Sequence, residues 1–287
     1  MNIFISGLIT GSMLALLAIG FSLIFGVARI VNIAHTAFYM LAAYCIYYLS
    51  IQAGWHPILG MLSAVVAVTL LGLLAYKFLI DPIREHEGAV LIATIALAMV
   101  FQEAILLIFT GEYRGVDFLV TGFFTIGGVK VFYQQLLTFG VVLVTLAVLW
   151  FLLMKTKLGL AIRSMAEDRE VANLMGMNES RLAMITLGIS VALAGFTGAV
   201  LAPLMVLNPY MWMEPLIMMM AVVVLGGLGS IKGSVIAAYI LGFTEAAVVF
   251  LIPQGAFLKG SVALTIMILV LLLRPEGLFG IAFEEER

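Results

Sequence analysis

Apolar positions run along this chain in nine long blocks, and the polar positions fall almost wholly between them. The blocks lie at about 3–28, 34–52, 57–76, 89–110, 133–154, 182–206, 214–229, 233–252 and 260–273. A bilayer-spanning helix needs about 20 predominantly apolar residues, and most of the blocks reach that length. They are continuous rather than alternating, which excludes a β-barrel. Backbone groups have no partner in lipid, so each block is expected to be helical or broken-helical. The fold class is therefore an all-α integral membrane protein: a polytopic helical bundle of 8–9 membrane segments, one single transmembrane domain over 1–287. Two blocks run short, and the stretch from Arg29 to Tyr44 is the place for a broken or re-entrant helix. Gly20, Gly26 and Gly226-Gly227-Leu228-Gly229 are further positions where a helix could break.

One long stretch departs from the pattern. Lys155 to Arg181 holds nine of the thirty Asp, Glu, Lys and Arg residues of the chain. Leu158, Ile162 and Met165 form an apolar stripe at helical spacing, Glu167-Asp168-Arg169-Glu170 interrupts it, and Val171, Leu174 and Met175 resume it. Gly176 stands where a helix C-terminal cap belongs, and Asn178 where the next helix would be capped. One or two short amphipathic helices on a membrane face are the reading, either as a docking surface or as a plain solvated connection.

Composition agrees with the pattern. Hydrophobic residues make up 64% and charged residues 10%, against about 25% charged in soluble domains. A net charge of −2 and the lack of a basic patch with interleaved aromatics give no sign of a nucleic-acid partner. Cys45 alone rules out a disulfide or thiolate cluster within the chain, and His35, His56 and His86 have no metal-ligand spacing. The N-terminal MNIFISGLITG has no basic leader, so the first block reads as a permanent span. Lys77 and Arg84, then Lys155, Lys157, Arg163, Arg169 and Arg181, then Arg274 and Arg287 are best placed inside the cell. Arg114, Lys130 and Lys259 are left outside. Nine crossings then give an outside N-terminus and a cytoplasmic C-terminus.

Smaller features follow. GEYRGVDFLVTGFFTIGGVK is expected to carry a hairpin with strands at Phe118–Val120 and Phe123–Ile126. Tyr210 and Trp212 suit an aromatic belt. Gly7 and Gly11, and Ala194, Gly198 and Ala202, allow close helix contact. Arg29, Asn32 and His35 recur every third residue and would share a helical face, with Asn32 and His35 either lining a path or only tying helices together. Glu103 and Glu245 are carboxylates inside apolar blocks, and Glu245 is the more central. No G-x-x-x-x-G-K-[ST] is present, and GGLGSIKGS (226–234) has the wrong spacing for a phosphate loop. No Ser/His/Asp or H-E-x-x-H set marks an enzyme.

Glu170-Val171-Ala172, then Asn173-Leu174-Met175 and Gly176, resembles the E-A-A-x-x-x-G loop of ABC importer permeases, with Val171 in place of the first Ala. LGLAIRSMAEDREVANLMGMN (158–178) resembles the corresponding loop of the LivH-type branched-chain amino acid permeases nearly throughout. LIFGVARIVNIAHTAFYMLAAY (23–44), AVLIATIALAMVFQE (89–103), VVVLGGLGSIKGSVIAAYILGFTEA (222–246) and LLLRPEGLFG (271–280) are similar in the same register. Thr36 and Lys232 depart from the glycine and proline that the family often has nearby. The resemblance implies a permease subunit in the bacterial inner membrane that moves branched-chain amino acids inward. It implies a cytoplasmic coupling helix at 158–178, with Asp168, Glu170, Ala172 and Gly176 meeting the ATPase. Its partners would be a homologous LivM-like second permease, two LivG/LivF-like ATP-binding subunits, a periplasmic substrate-binding protein and membrane lipid. ATP and Mg would sit on those ATPases, with no cofactor on this chain. The substrate path would run by Asn32, His35, Glu245, Gly226 and Gly227. Urea or short amides as cargo, and a stand-alone proton-coupled transporter, remain open alternatives.

Overall fold

The computed structural model describes residues 2–126, 129–274 and 276–279; Pro275, Gly280 and Arg287 lie outside the described residues. Eleven α-helices form the described chain: α1 (Asn2–Ala28), α2 (His35–Tyr47), α3 (Pro57–Ala75), α4 (Glu87–Phe109), α5 (Tyr133–Lys155), α6 (Lys157–Glu167), α7 (Arg169–Leu174), α8 (Glu179–Leu201), α9 (Met213–Gly226), α10 (Ile231–Leu251) and α11 (Lys259–Leu273). A hairpin of β1 (Phe123–Ile126) and β2 (Val129–Phe132) separates α4 from α5. Six helices are long and apolar enough to cross a membrane, and α9 and α11 are shorter apolar helices.

The chain passes back and forth between two ends of the bundle. One end gathers Ala28, Tyr76, Arg84, Glu87, Arg169 and Glu179 around a single cavity; it is the basic end. The other gathers Ser6, Gln135, Leu201, Glu214 and Glu245, and is the distal end. Thus α1 runs toward the basic end, α2 away from it, and α3 back. Then α4 departs, α5 returns, α8 departs, α9 returns and α10 departs. After α11 the backbone N–H groups of Leu278 and Phe279 donate to Leu225 and Gly226 at the foot of α9. Nine apolar segments thus run between the two ends, six of them helices long enough to cross a membrane.

Burial explains the layering. α1 is the central helix, packed chiefly on α10 and then on α8, whereas α3, α4 and α5 lie on the outside. The outer helices turn small residues inward at every fourth position. On α3 these are Gly60, Ala64, Val68 and Gly72, and on α4 Val90, Thr94 and Ala98. Their large apolar side chains, such as Leu62, Val66, Leu70, Ile92 and Val100, point out of the bundle. That is the arrangement expected where lipid supplies the outer contacts and close backbone approach supplies the inner ones. Gly7 and Gly11 face Phe243, Tyr239 and Gly242, so α1 and α10 pack antiparallel within the chain. The buried Ser22 and Ser234 hydroxyls meet at 2.6 Å in that seam. Ser22→Ala should cost about 1 kcal/mol by leaving Ser234 without its partner. Replacing both serines should recover most of that. Reversible unfolding in detergent measures the pair, and a double variant as weak as the sum of the singles would refute it.

Several expectations need correction. α1 runs unbroken through Gly20 and Gly26; the break falls at Arg29, whose φ is +56°. A side chain is rarely held there, and residues 29–34 leave the helix before α2 starts. Arg29, Asn32 and His35 therefore do not share a helical face. The anticipated break after Gly226 is present: Gly227 and Gly229 both have positive φ, and a Cβ on Gly233 would strike the Gly226 carbonyl. Phe118–Val120 is not a strand; the Gln134 Oε1 accepts from the Leu119 and Val120 N–H groups and fixes that stretch as coil. Trp212 does not sit in an aromatic belt. It is buried and donates to Gln102 Oε1 at 2.9 Å.

Candidate functional site

The polar stretch folds into a small lobe on the basic end. Thr156 caps α6 by accepting from Gly159 N–H. Asp168 caps α7 by accepting from Val171 N–H at 2.9 Å, and Asn178 caps α8. Gly176, at φ +86°, ends α7 in a Schellman motif: Met177 N–H donates to Ala172 O and Gly176 N–H to Asn173 O.

Burial decides which face of the lobe looks outward. Ile162 and Met165 are buried against the α1, α5 and α8 side of the bundle, with Leu158 packed beside them. That stripe seats the lobe and is unavailable to a partner. Ala172 is buried with it, so it is a seat for α7 and not a contact surface. Val171, Leu174 and Met175 do not continue the stripe: Leu174 is 86% and Met175 77% exposed. They stand beside the exposed Glu167, Asp168 and Glu170. Two exposed apolar tips thus stand beside an acidic edge on one face of the lobe. Asp168, Glu170 and Gly176 are on it.

An ionic cluster joins this lobe to the bundle. Arg169 of α7 pairs with Glu179 at the start of α8. Glu179 also faces Arg84 at 3.8 Å, Arg84 lies 3.6 Å from Asp81, and Ser180 donates to Asp81. Arg29 lines the same cavity of about 380 Å³. Burial, then the Arg84 and Arg29 guanidiniums, lower the Arg169 pKa from its ordinary value.

Midway through the bundle lies a buried polar layer. His35 Nε2 donates to Leu17 O at 3.1 Å, which leaves Nδ1 to accept from the Ser190 hydroxyl at 3.3 Å. His35 thus ties α2 to α1 and α8. Gly20 admits the ring, because a Cβ there would lie 2.9 Å from His35 Cε1. Thr94 accepts from Ile33 N–H and steadies the broken segment. Asn32 is fully buried, and both polar atoms of its side chain lack a hydrogen-bond partner. Neither Asn32 nor His35 lines the distal cavity.

That cavity, of about 440 Å³, opens among the starts of α1, α5 and α9 and the far ends of α8 and α10. Glu245 lines it, and so do Glu214, Ser6, Thr10, Gln135 and Asn208, which the sequence reading did not select. Tyr39 is buried in its wall and donates its hydroxyl to Met205 Sδ at 2.6 Å. Gly226 and Gly227 are remote from it, at the basic end. Glu214 carried a signal in hindsight, as the acid beside Pro215 at the start of a helix. The others are ordinary polar residues that only the fold brings together. Among the described residues, no group of three His, Cys, Asp or Glu is placed to hold a metal.

An all-α bundle with six apolar helices long enough to cross a membrane, and a cavity open at one end, is the frame of a membrane transport permease. The chain belongs to the family described as branched-chain amino acid transport system, permease component, which matches residues 3–271. It is 31% identical over 293 residues to the high-affinity branched-chain amino acid transport system permease protein BraD of Pseudomonas aeruginosa, covering 96% of this chain and 94% of that one. It is 28% identical over 294 residues to LivH of Escherichia coli, with the same coverage. A probable LivH of Methanocaldococcus jannaschii is 28% identical over 297 residues, 97% of this chain and 92% of its own. Among solved structures, PsaBC from Streptococcus pneumoniae in complex with Fab has the same fold. Its TM-score is 0.54 at 13% identity, covering 96% of this chain and 93% of that one.

Proposed function

We propose that this permease is the membrane subunit of an ATP-driven importer of branched-chain amino acids. The observation that carries the reading is the α6–α7 lobe, which holds Leu174 and Met175 in water beside Asp168 and Glu170. A transporter that powered itself would have no use for such a surface. Separate ATP-binding subunits dock there and hydrolyse ATP with Mg. The lobe faces the cytoplasm with the C-terminus, and the N-terminus lies outside, as the Lys and Arg distribution favours. A homologous second permease completes the membrane unit. An external binding protein delivers cargo to the distal end, where Glu245 lines the cavity. Asn32 and His35 lie below that cavity, and the Gly226-Gly227 break forms the foot of α9.

Reconstitution in proteoliposomes tests this. Uptake of radiolabelled leucine should require the ATPases, internal ATP and the binding protein. A proton gradient driving uptake by this chain alone would overturn the reading in favour of a secondary transporter. Uptake of urea or short amides in place of leucine would reassign the cargo.

A further inference from the structure

We propose that the groove between α3 and α5 at the distal end is a fixed binding site for one acyl chain of a membrane phospholipid. The inference needs only the membrane bundle and is independent of what the permease carries or what drives it.

Packing creates the groove. α3 lies along α8, whereas α5 packs on α1 and α6 and touches α8 only lightly. A wedge of about 250 Å³ is left between α3 and α5. Ala199 and Val200 of α8 line it and are buried, so they form its floor. Ile58, Leu62 and Leu137 line it and are exposed, so it opens on the outer surface of the bundle. That surface continues along α3 and α5 through the exposed Val66, Leu70 and Val144, where lipid supplies the outer contacts.

The walls decide the chemistry of the guest. Gln134 and Thr138 are the polar side chains of the lining, and both turn to the backbone of the chain itself. Gln134 Oε1 accepts from the Leu119 and Val120 N–H groups, and the Thr138 hydroxyl donates to Val200 O. Among the described residues no charged side chain lines the groove. Water would need two to four polar partners there, whereas a hydrocarbon needs none. Leaving the volume empty would be destabilising.

Dimensions decide its shape. Val65 is the ninth residue of α3 and lines the groove, so the groove reaches about 13 Å below the start of that helix. One leaflet of hydrocarbon is about 15 Å deep. A single turn of α-helix, about 10 Å across and about 5.4 Å tall, is larger than the whole groove, so a helix of another subunit does not fit into it. Trp55, just before α3, and Tyr133, at the start of α5, are exposed, as aromatic rings are at a membrane–water boundary. Lys130, exposed in the strand that leads into α5, puts a cation near that boundary, which suits the phosphate of a headgroup. α8 ends at Leu201 in the wall of the distal cavity. The bound chain therefore braces the last turn of α8 from the side opposite that cavity.

The test uses the assembled transporter purified in detergent. Native mass spectrometry should find one phospholipid retained per copy of this chain after detergent exchange. Val141→Phe fills the groove from α5 and should lower the retained fraction roughly 10-fold, the scale of overpacking a filled site. Val65→Phe fills it from α3 and should do the same, which guards against one variant failing to fold. Val144→Phe adds equal bulk outside the lining and should keep the lipid. p-Benzoylphenylalanine placed at Leu62 should cross-link to phospholipid. Three results would each overturn the proposal: no phospholipid retained by the unmodified chain, equal retention in the groove variants and Val144→Phe, or cross-linking at Leu62 to another subunit in place of lipid.

Discussion

Leu174→Asp combined with Met175→Asp is expected to leave the permease folded and to strip it of its ATPases. Both side chains are mostly exposed already, and exposed substitutions usually change stability by no more than about 0.5 kcal/mol. The unfolding midpoint in detergent should therefore stay where it is. Interface anchors behave differently: a hot-spot side chain is worth 2 kcal/mol or more on truncation, so losing two weakens docking by about 1,000-fold. ATP-driven uptake should fall to background, and the ATP-binding subunits should no longer co-purify. Ala172→Leu gives a contrasting signature. Ala172 is buried beneath α7, so added bulk should lower the melting midpoint as well as uptake. Full retention of the ATPases by the double aspartate variant would place docking elsewhere.

The membrane architecture was legible because it depends on a property that adds up along the chain. Each of the nine apolar blocks became a helical segment of the bundle, and Gly176 and Asn178 stand at helix ends as their chemistry favours. Local chemistry that needs a partner was harder to read. Leu158, Ile162 and Met165 form a stripe on any helical projection, yet only the fold shows that the stripe faces the bundle and that Leu174 and Met175 face away. Trp212 looked like a membrane-edge aromatic until Gln102, 110 positions away, proved to be its partner. The break at Arg29 fell within the Arg29–Tyr44 stretch that the sequence marked, whereas Gly20 and Gly26 stayed helical. The distal cavity draws its lining from α1, α2, α5, α8, α9 and α10 and from the segment between α8 and α9. No window of sequence contains that set. Glu245 was found because a carboxylate in an apolar block is conspicuous, whereas Ser6, Thr10 and Asn208 are not.

On the proposed function, docking at the lobe acts on the bundle through the contacts that join the two, and the ionic cluster is the most direct of them. α6 is fixed by its own ties: Arg163 donates to Leu153 O, and Gly159 packs on the Leu152 and Leu153 carbonyls. α7 is held by the buried Ala172 and by the Arg169–Glu179 pair. Glu179 opens α8, and α8 ends at Leu201 in the wall of the distal cavity. One helix thus links the lobe to the cavity, and its first residue carries the connection. Glu179→Gln keeps the shape and removes the charge, leaving Arg84 and Arg169 to repel each other across the basic-end cavity. Residues that carry coupling between sites typically modulate it by about 0.5–2 kcal/mol, so uptake per ATP hydrolysed should fall roughly 2- to 30-fold. The ATPases should remain bound, because Leu174 and Met175 are untouched, and hydrolysis should continue. Arg169→Lys retains a positive charge on α7 and should recover most of the ratio that Arg169→Gln loses. The ratio is the decisive quantity. Uptake and hydrolysis that decline together, with the ratio preserved, would make Glu179 a stabiliser of the basic end and would move the coupling to the α6 contacts.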